Sequence, residues 1–532
     1  MQNIKGSQSI KTLSFDEQFG RLILSLAIIF GSMVRFFPTL LTSFPVLDGG
    51  MFYVAIGNIL ANGFRLPETI LYNQLNIPFT YPPFGFYMAA LLEKVTGLDR
   101  IDILRFLPPI CSLLAILAVY YLAYVLFEKT SLAALAAALY ALLPRSLWLI
   151  MGGSITRAPG MIFSIMTIAC LYSVCFKGDY KKKWFVMLFG SLVVLSHPEA
   201  AFQTAGICLW FLLFAPKKRN NFIVGMQIVG AIILLTSPWW ITLLARYGIE
   251  PIRSALGTGG AGIAGSFMWP FTNFAEEQFL PVITITALWG AIFKLYQKEF
   301  LLPVWICIPF LLSHRSAPSY AIIPLALLGT IAISKLLIPT FAASRDKTLM
   351  PEDNQDEKTN SIKKVVVGIL IIYALSSAFL WSMMTMKNYV VSKENQKAMQ
   401  WVGISTPLDA HFLLLTGESN SGLDEVQEWF PALAERVSVT TIQGKEWQPG
   451  NQFNLAADST KQLQYECPFA SVTCIEAWGE KNQIEYDYVY VENTANSPYS
   501  LPIVDSLSTA SDYNLVYTSP EKEILIFQRQ NH

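Results

Sequence analysis

Apolar residues along this chain fall in repeated runs of about 20 with few charges inside them, the length a helix needs to cross a bilayer's hydrocarbon core. The runs predict about eleven membrane helices, over residues 20–41, 104–127, 131–150, 158–176, 184–197, 200–215, 221–244, 279–296, 299–313, 317–339 and 364–386. After residue 387 the pattern changes to short β-rich runs at 411–415, 437–442, 486–491, 513–517 and 523–527, with a helical stretch at 423–435. The predicted fold is therefore an α-helical polytopic membrane protein, with a transmembrane domain over residues 1–386. A small α/β domain follows over 387–532, its last two strands forming a hairpin, and the near absence of a linker predicts that it docks on the membrane part. Residues 345–364 lack apolar periodicity and read as a flexible cytoplasmic loop.

Basic residues orient these spans. Lys5, Lys11 and Arg21, the Lys177–Lys183 cluster, Lys217-Lys218-Arg219, Lys294 with Lys298, and the group around Lys335, Arg345 and Lys347 all fall on one side of an eleven-span arrangement. Lysine and arginine accumulate in cytoplasmic loops, so the amino terminus is expected inside and the tail outside. The arrangement requires that Tyr81-Pro82-Pro83-Phe84-Gly85-Phe86-Tyr87 and the apolar residues after it do not span. They read as an interfacial helix opened by its prolines, inside a long first external loop from 42 to about 102.

Composition agrees with a membrane protein: 53% of residues are hydrophobic and only 14% charged. The balance of 38 basic against 38 acidic residues gives no electrostatic case for nucleic acid. The first apolar run is too long for a signal-peptide core, so no cleaved leader is expected. Five cysteines, at 111, 170, 175, 208 and 307, lie in spans as small hydrophobes. Cys467 and Cys474, seven apart in the external domain, are expected to pair as a disulfide.

Candidate chemistry begins at Asp48, in Thr42-Ser43-Phe44-Pro45-Val46-Leu47-Asp48-Gly49-Gly50, where the first span leaves the membrane. A carboxylate there is a functional candidate, set against the alternative of a solvated loop acid. Ser196-His197-Pro198-Glu199, between the fifth and sixth spans, offers His197 and Glu199 two apart beside a proline, either to position an acceptor or phosphate or simply as a polar helix-end turn. Tyr81 in the interfacial segment and the external arginines Arg157, Arg246, Arg253 and Arg315 are candidate substrate contacts. His314 is either a phosphate contact or a membrane-surface residue. The loop 250–278, with Gly257-Thr258-Gly259-Gly260-Ala261-Gly262, reads as a mobile flap, ending in Glu276 and Glu277 as acceptor or metal contacts or as solvated acids.

The order of first helix, Asp48, proline-tyrosine segment, Leu107-Pro108-Pro109 opening the second helix, and Gly152-Gly153-Ser154 after Pro144 resembles the GT-C glycosyltransferases. Within them it is similar to the catalytic subunit of oligosaccharyltransferase and, more distantly, to the protein mannosyltransferases, over roughly residues 20 to 200. The resemblance implies transfer of a sugar from a polyprenyl phosphate or diphosphate carrier, across the extracytoplasmic membrane face, to an acceptor of unspecified lipid, glycan or protein nature. Asp48 is then the general base, and arginines stabilise the leaving phosphate. Two features depart from the oligosaccharyltransferase pattern. Thr156 and Ala158, flanking Arg157, stand where that family has metal-linked acids, so no cofactor is expected to be required and a divalent metal is doubtful. Glu428-Trp429-Phe430-Pro431 stands loosely where it has a Trp-Trp-Asp acceptor motif, so transfer of a single sugar, as in mannosyl- and aminoarabinosyl-transferring members, fits better. A lipid or polysaccharide transporter or flippase would more often show repeated halves, which this sequence lacks. A sensor or assembly protein would not require these groups to converge.

Overall fold

The computed structural model describes residues 14–216, 218–258, 274–343, 353–448, 450, 452–493 and 501–530. Lys5, Lys11, Lys217, Arg345, Lys347 and the glycines at 259, 260 and 262 lie outside them. Helix α1 (Phe15–Leu41) opens on a capping box in which Ser14 and Glu17 satisfy each other's backbone N–H groups. Asp16 in its first turn accepts from the Thr130 and Ser131 N–H groups and so ties α1 to the start of α5 (Thr130–Leu142). The bundle continues through α4 (Arg100–Phe127), α6 (Ser154–Lys177), α7 (Lys183–Ser196), α8 (Pro198–Phe214) and α9 (Lys218–Tyr247). After the short α10 (Glu250–Gly257) come α11 (Val282–Tyr296), α12 (Leu301–Leu312), α13 (Ala317–Ala332), α14 (Ile338–Ala343) and α15 (Asp353–Asn388).

Each apolar run of the sequence coincides with a helix, but the count of about eleven spans is not reproduced. Among the described residues six helices are long and apolar enough to cross a membrane, and a seventh if the bent pair Thr130–Leu142 and Pro144–Ile150 is one span. That run, expected continuous over 131–150, turns by 69° at Leu143. Pro144 cannot donate to the preceding turn, and the chain instead swings Arg145 toward Glu276. Two further boundaries move. Leu107-Pro108-Pro109 does not open α4, which starts at Arg100 on an Asp99 cap. The prolines sit inside the helix, and the carbonyl of Arg105, four residues before Pro109, accepts from Thr39 Oγ1 at 3.4 Å. The described part of the expected cytoplasmic loop, 353–364, is helical and continues into α15.

The long segment after α1 is well ordered. It contains α2 (Gly50–Ala61), unanticipated, then a hairpin of β1 (Thr69–Tyr72) and β2 (Leu75–Pro78), then α3 (Phe84–Thr96), which begins three residues after Tyr81. The hairpin turns on Asn73 and Gln74, both left-handed (φ 54° and 53°), as a two-residue turn between twisted strands requires.

After α15 and α16 (Lys393–Ser405) the chain forms a five-stranded sheet, ordered β4-β3-β5-β7-β6: β3 (His411–Leu415), β4 (Val437–Ser438), β5 (Tyr488–Glu492), β6 (Tyr513–Thr518) and β7 (Ile524–Arg529). The last two pair antiparallel, as the sequence predicts. The run 437–442 shortens to a two-residue strand because Ser438 Oγ accepts from the Thr441 N–H and turns the chain away. Side chains alternate with the strand period of two. Phe412, Leu414, Tyr488, Tyr490, Ile524 and Ile526 join the core continuous with the helical bundle through α17 (Glu425–Leu433). Leu413, Leu415, Val489, Val491, Leu525 and Phe527 face a second core, roofed by α18 (Gln452–Glu466), α19 (Val472–Asn482) and α20 (Pro502–Thr509). Cys467 and Cys474 are bridged there.

Candidate functional site

Asp48 occupies a segment held from three directions. Leu47 donates to the carbonyl of Tyr389 after α15 (2.7 Å), the Gly152 N–H donates to the Val46 carbonyl (2.9 Å), and Trp429 Nε1 on α17 donates to the Leu47 carbonyl (2.8 Å). Buried Glu428, beside Trp429, accepts through Oε1 from the Gly49 and Met51 N–H groups at 3.4 and 3.3 Å. The Asp48 carboxylate is thereby aimed at the start of α6. Its Oδ1 accepts from the Gly153 N–H at 3.0 Å, and its Oδ2 pairs with Arg157 Nη2.

The glycines around Asp48 are there for space. A Cβ on Gly153 would stand 2.5 Å from Asp48 Oδ2, one on Gly152 would stand 2.2 Å from the Asp48 carbonyl oxygen, and one on Gly50 would stand 2.2 Å from the Glu428 carbonyl oxygen. Gly49, at φ 142°, lies in a region that favours glycine. Gly152-Gly153-Ser154 is thus the floor on which Asp48 rests.

Around the Asp48–Arg157 pair stand further polar groups. Tyr81 packs edge-on against Phe52, Phe86, Trp447 and His197, with ring centroids 5.2, 5.7, 5.6 and 6.2 Å away. Burial pushes its hydroxyl up to about 12, against the opposing charges of Arg157 and Arg315. His197, between α7 and α8, is pushed down to about 3, first by burial and then by the same two arginines. Both causes favour the neutral imidazole. Glu199, in the first turn of α8, is half-buried within the field of Arg157 and Tyr81. Arg315 is exposed and electrostatically coupled to Tyr81, His197 and Glu446. The sequence-predicted Asp48, Tyr81, Arg157, His197, Glu199 and Arg315 therefore come together, and Glu428, Glu446 and Trp447 join them from the carboxyl-terminal domain.

Two predicted arginines are engaged elsewhere. Arg246 donates to the carbonyls of Leu66 and Pro67 and clamps the first loop to the end of α9. Exposed Arg253 makes a 3.7 Å pair with Glu250 one turn away, on a helix whose Ser254 binds the carbonyl of Gln448. The acids at 276 and 277 are not solvated loop acids. Glu276 binds Arg145 Nη1 (2.7 Å), Trp148 Nε1 and Trp381 Nε1 (3.1 Å). Glu277 caps α11, accepting from the Ile283 and Thr284 N–H groups at 2.8 Å each.

The donors around Asp48 bear on whether a divalent metal fits there. Thr156 and Ala158 are buried and supply no carboxylate, the Thr156 hydroxyl donates to the Gly153 carbonyl, and the charge beside Asp48 is a guanidinium. Among the described residues no group of three or more His, Cys, Asp or Glu side chains is arranged to hold a metal ion.

Residues 80–241 match the family model of dolichyl-phosphate-mannose-protein mannosyltransferases. No curated protein sequence matches the chain at a significant level. Among solved structures, the chain is similar to the Archaeoglobus fulgidus oligosaccharyltransferase AglB in complex with an inhibitory peptide and a dolichol-phosphate, at 16% identity and a TM-score of 0.59, over 98% of this chain and 75% of that one. It is also similar to ArnT from Cupriavidus metallidurans, at 12% identity and a TM-score of 0.55, over 97% and 98% of the two chains. The mycobacterial arabinofuranosyltransferase AftD aligns at 14% identity and a TM-score of 0.56, over 98% of this chain and 42% of that one. The architecture, the family match over the first helices and loops, and these relatives agree: the chain has the fold of the GT-C membrane glycosyltransferases.

Proposed function

We propose that this protein transfers a sugar from a polyprenyl-phosphate carrier to an acceptor on the extracytoplasmic membrane face, with Asp48 as general base. The observation that carries the reading is the Asp48 carboxylate, fixed by Gly153 and Arg157 where the helical bundle meets the carboxyl-terminal domain, with a second cation, Arg315, in the same electrostatic neighbourhood. Carrier chemistry is supported by the relatives, of which ArnT has been seen bound to undecaprenyl phosphate and AglB with a dolichol-phosphate.

The step is a single displacement. An acceptor O–H attacks the anomeric carbon, its proton passes to the Asp48 carboxylate, and the bond from the anomeric carbon to the phosphate oxygen breaks with its electron pair leaving on the phosphate. A displacement of this kind inverts the anomeric centre. Only Nη2 of Arg157 is committed to Asp48 among the described contacts, so the rest of its guanidinium fork and Arg315 serve the departing phosphate. No metal is needed in this scheme.

The orientation that places Asp48, His197 and the carboxyl-terminal domain outside rests on the loop lysines. The test supplies the purified protein, in membranes that contain endogenous acceptors, with radiolabelled polyprenyl-phosphate mannose, aminoarabinose or arabinofuranose. Release of polyprenyl phosphate coupled to labelled acceptor is expected for one donor. Carrier-lipid movement across the bilayer without cleavage of any donor would instead favour a flippase.

A further inference from the structure

Besides its contacts to α6 and α9, the first loop is held by the carboxyl-terminal domain. Tyr72 donates to the carbonyl of Glu428, Asn73 exchanges two hydrogen bonds with the backbone of Ser438 (2.9 and 2.7 Å), Gln74 donates to the Leu408 carbonyl (2.9 Å), and Trp429 holds Leu47. Most of these contacts serve the hairpin. Glu428 differs, because its two bonds land on Gly49 and Met51, the first and third residues after Asp48. We propose that Glu428 is a positioning residue through which the carboxyl-terminal domain sets the carboxylate of Asp48 against Gly153 and Arg157, a role that rests on the base reading of Asp48.

Three observations carry it. Both bonds go to Oε1, so one acceptor clamps two amides two residues apart, at the cap and second residue of α2. The approach is so close that Gly49 and Gly50 cannot carry a Cβ without displacing Trp429 or Glu428: the built Cβ atoms would stand 2.9 and 2.2 Å from them. And Leu47 and Gly49 both have positive φ, 58° and 142°, a backbone path that local preference does not hold and that surrounding contacts must. Without the clamp the path relaxes and Asp48 moves. A displacement of about 1 Å of a reacting group costs up to about a hundredfold in rate.

The groups facing Glu428 are Asp48 on the loop, Glu446 on the turn before Trp447, and Tyr72 on β1. No cation is among the causes that shift it. Burial first, and then the charge of Asp48, push its carboxyl up to about 8. Near neutral pH it is therefore protonated, with Oε1 accepting from the loop and Oε2 free to carry the proton. A glutamine reproduces that arrangement and does not titrate. Above about pH 8 the native side chain ionises beside Asp48 and Glu446, in a buried contact without a counter-charge, and the clamp loosens.

The experiment uses the full chain in lipid nanodiscs, with Glu428→Gln and Glu428→Ala beside Asp48→Asn. Hydrogen exchange of the amides of residues 46–52 needs no substrate. It is expected to match the native protein in Glu428→Gln and to accelerate about tenfold or more in Glu428→Ala. With the radiolabelled polyprenyl-phosphate sugar that the native protein cleaves, Glu428→Ala is expected to lose about tenfold to a hundredfold in kcat with donor KM unchanged. The native enzyme is expected to lose kcat above about pH 8, and Glu428→Gln to keep most of kcat without that alkaline fall. Native exchange and kcat in Glu428→Ala would overturn the proposal, as would Glu428→Gln as damaged as Glu428→Ala. If Glu428→Ala does not accumulate, the isosteric Glu428→Gln decides alone: an alkaline limb that persists in it overturns the proposal. Turnover by Asp48→Asn would overturn the base reading instead, and the exchange data would still report the clamp.

Discussion

Two of the carboxylate–arginine pairs in this molecule, Glu276 with Arg145 and Asp48 with Arg157, are not equivalent. In the pair of Glu276 with Arg145, both carboxylate oxygens are used. Oε1 takes the guanidinium and Oε2 takes the indole N–H groups of Trp148 and Trp381, while Arg145 also holds Ser319 and stacks over Trp148 at 4.5 Å. In the pair of Asp48 with Arg157, the carboxylate has one backbone donor and one guanidinium nitrogen, and both side chains keep about a third of their surface exposed, 32% and 33%, against 26% and 13% for Glu276 and Arg145. A saturated pair ties elements together, here the bent end of α5 to α13 and α15. A pair with spare lone pairs and donors, anchored by backbone on several sides, is arranged to meet something else. The first is a structural joint and the second a site.

The comparison breaks most visibly at Asp48. Asp48→Asn removes the proton acceptor and weakens the bond to Arg157 without emptying the space, so sugar transfer is expected to fall by about a hundredfold to ten-thousandfold while the thermal midpoint in detergent stays close to native. Radiometric transfer and a melting curve on the same preparation check it. An equal loss of stability would make Asp48 a joint like Glu276.

Gly153→Ala probes the same carboxylate from below. A methyl group 2.5 Å from Oδ2 must push it or the start of α6 aside, and transfer is expected to drop by about tenfold to a hundredfold, with donor binding little changed. Determining kcat and KM separately for the donor distinguishes this from a loss of phosphate affinity.

The opposite pattern is expected at the other pair. Glu276→Gln leaves Arg145 without its counter-charge and sets an amide donor against either Arg145 or both indole N–H groups, and is expected to cost about 2 kcal/mol of stability, with turnover per folded molecule retained. Denaturation of the reconstituted protein, compared with transfer normalised to folded fraction, measures both. A transfer defect at native stability would place Glu276 in the site after all.

The difference between the pairs was only half legible in the sequence. Asp48 stands out because an acid at the end of an apolar run is costly unless used, and the helices around it follow from hydrophobic run length alone. Gly152-Gly153 is visible as a pattern, but its reason, the approach of a residue more than a hundred positions away, is not. Glu276 and Arg246 were misjudged for one cause: a loop acid or helix-end arginine looks the same in sequence whether it faces water, a tryptophan or a carbonyl. Glu428 and Trp447 reach the site from a domain nearly four hundred residues downstream, and no local periodicity reports that. The bend at Leu143 was signalled by Pro144 and passed over because the apolar run continues through it. Helix α2 escaped because its two glycines and β-branched residues weaken helix propensity, while its packing against α3 and α17 supplies what propensity does not.

The smallest effect is expected from removing divalent metal. In a metal-held site the cation offsets charge on the leaving phosphate, and its withdrawal lowers the rate by orders of magnitude. Here the flanking positions carry a hydroxyl already donated to Gly153 and a methyl group, and the positive charge within reach of Asp48 is covalently part of the chain as Arg157. Chelator-treated enzyme is therefore expected to retain transfer within about twofold, since a guanidinium supplies the offset, whereas Arg157→Ala is expected to lose transfer without recovery on adding magnesium or manganese. Chelator sensitivity reversed by either ion would reassign Asp48 from base to ligand, and the two pairs would then differ in what they bind as well as in how fully they are satisfied.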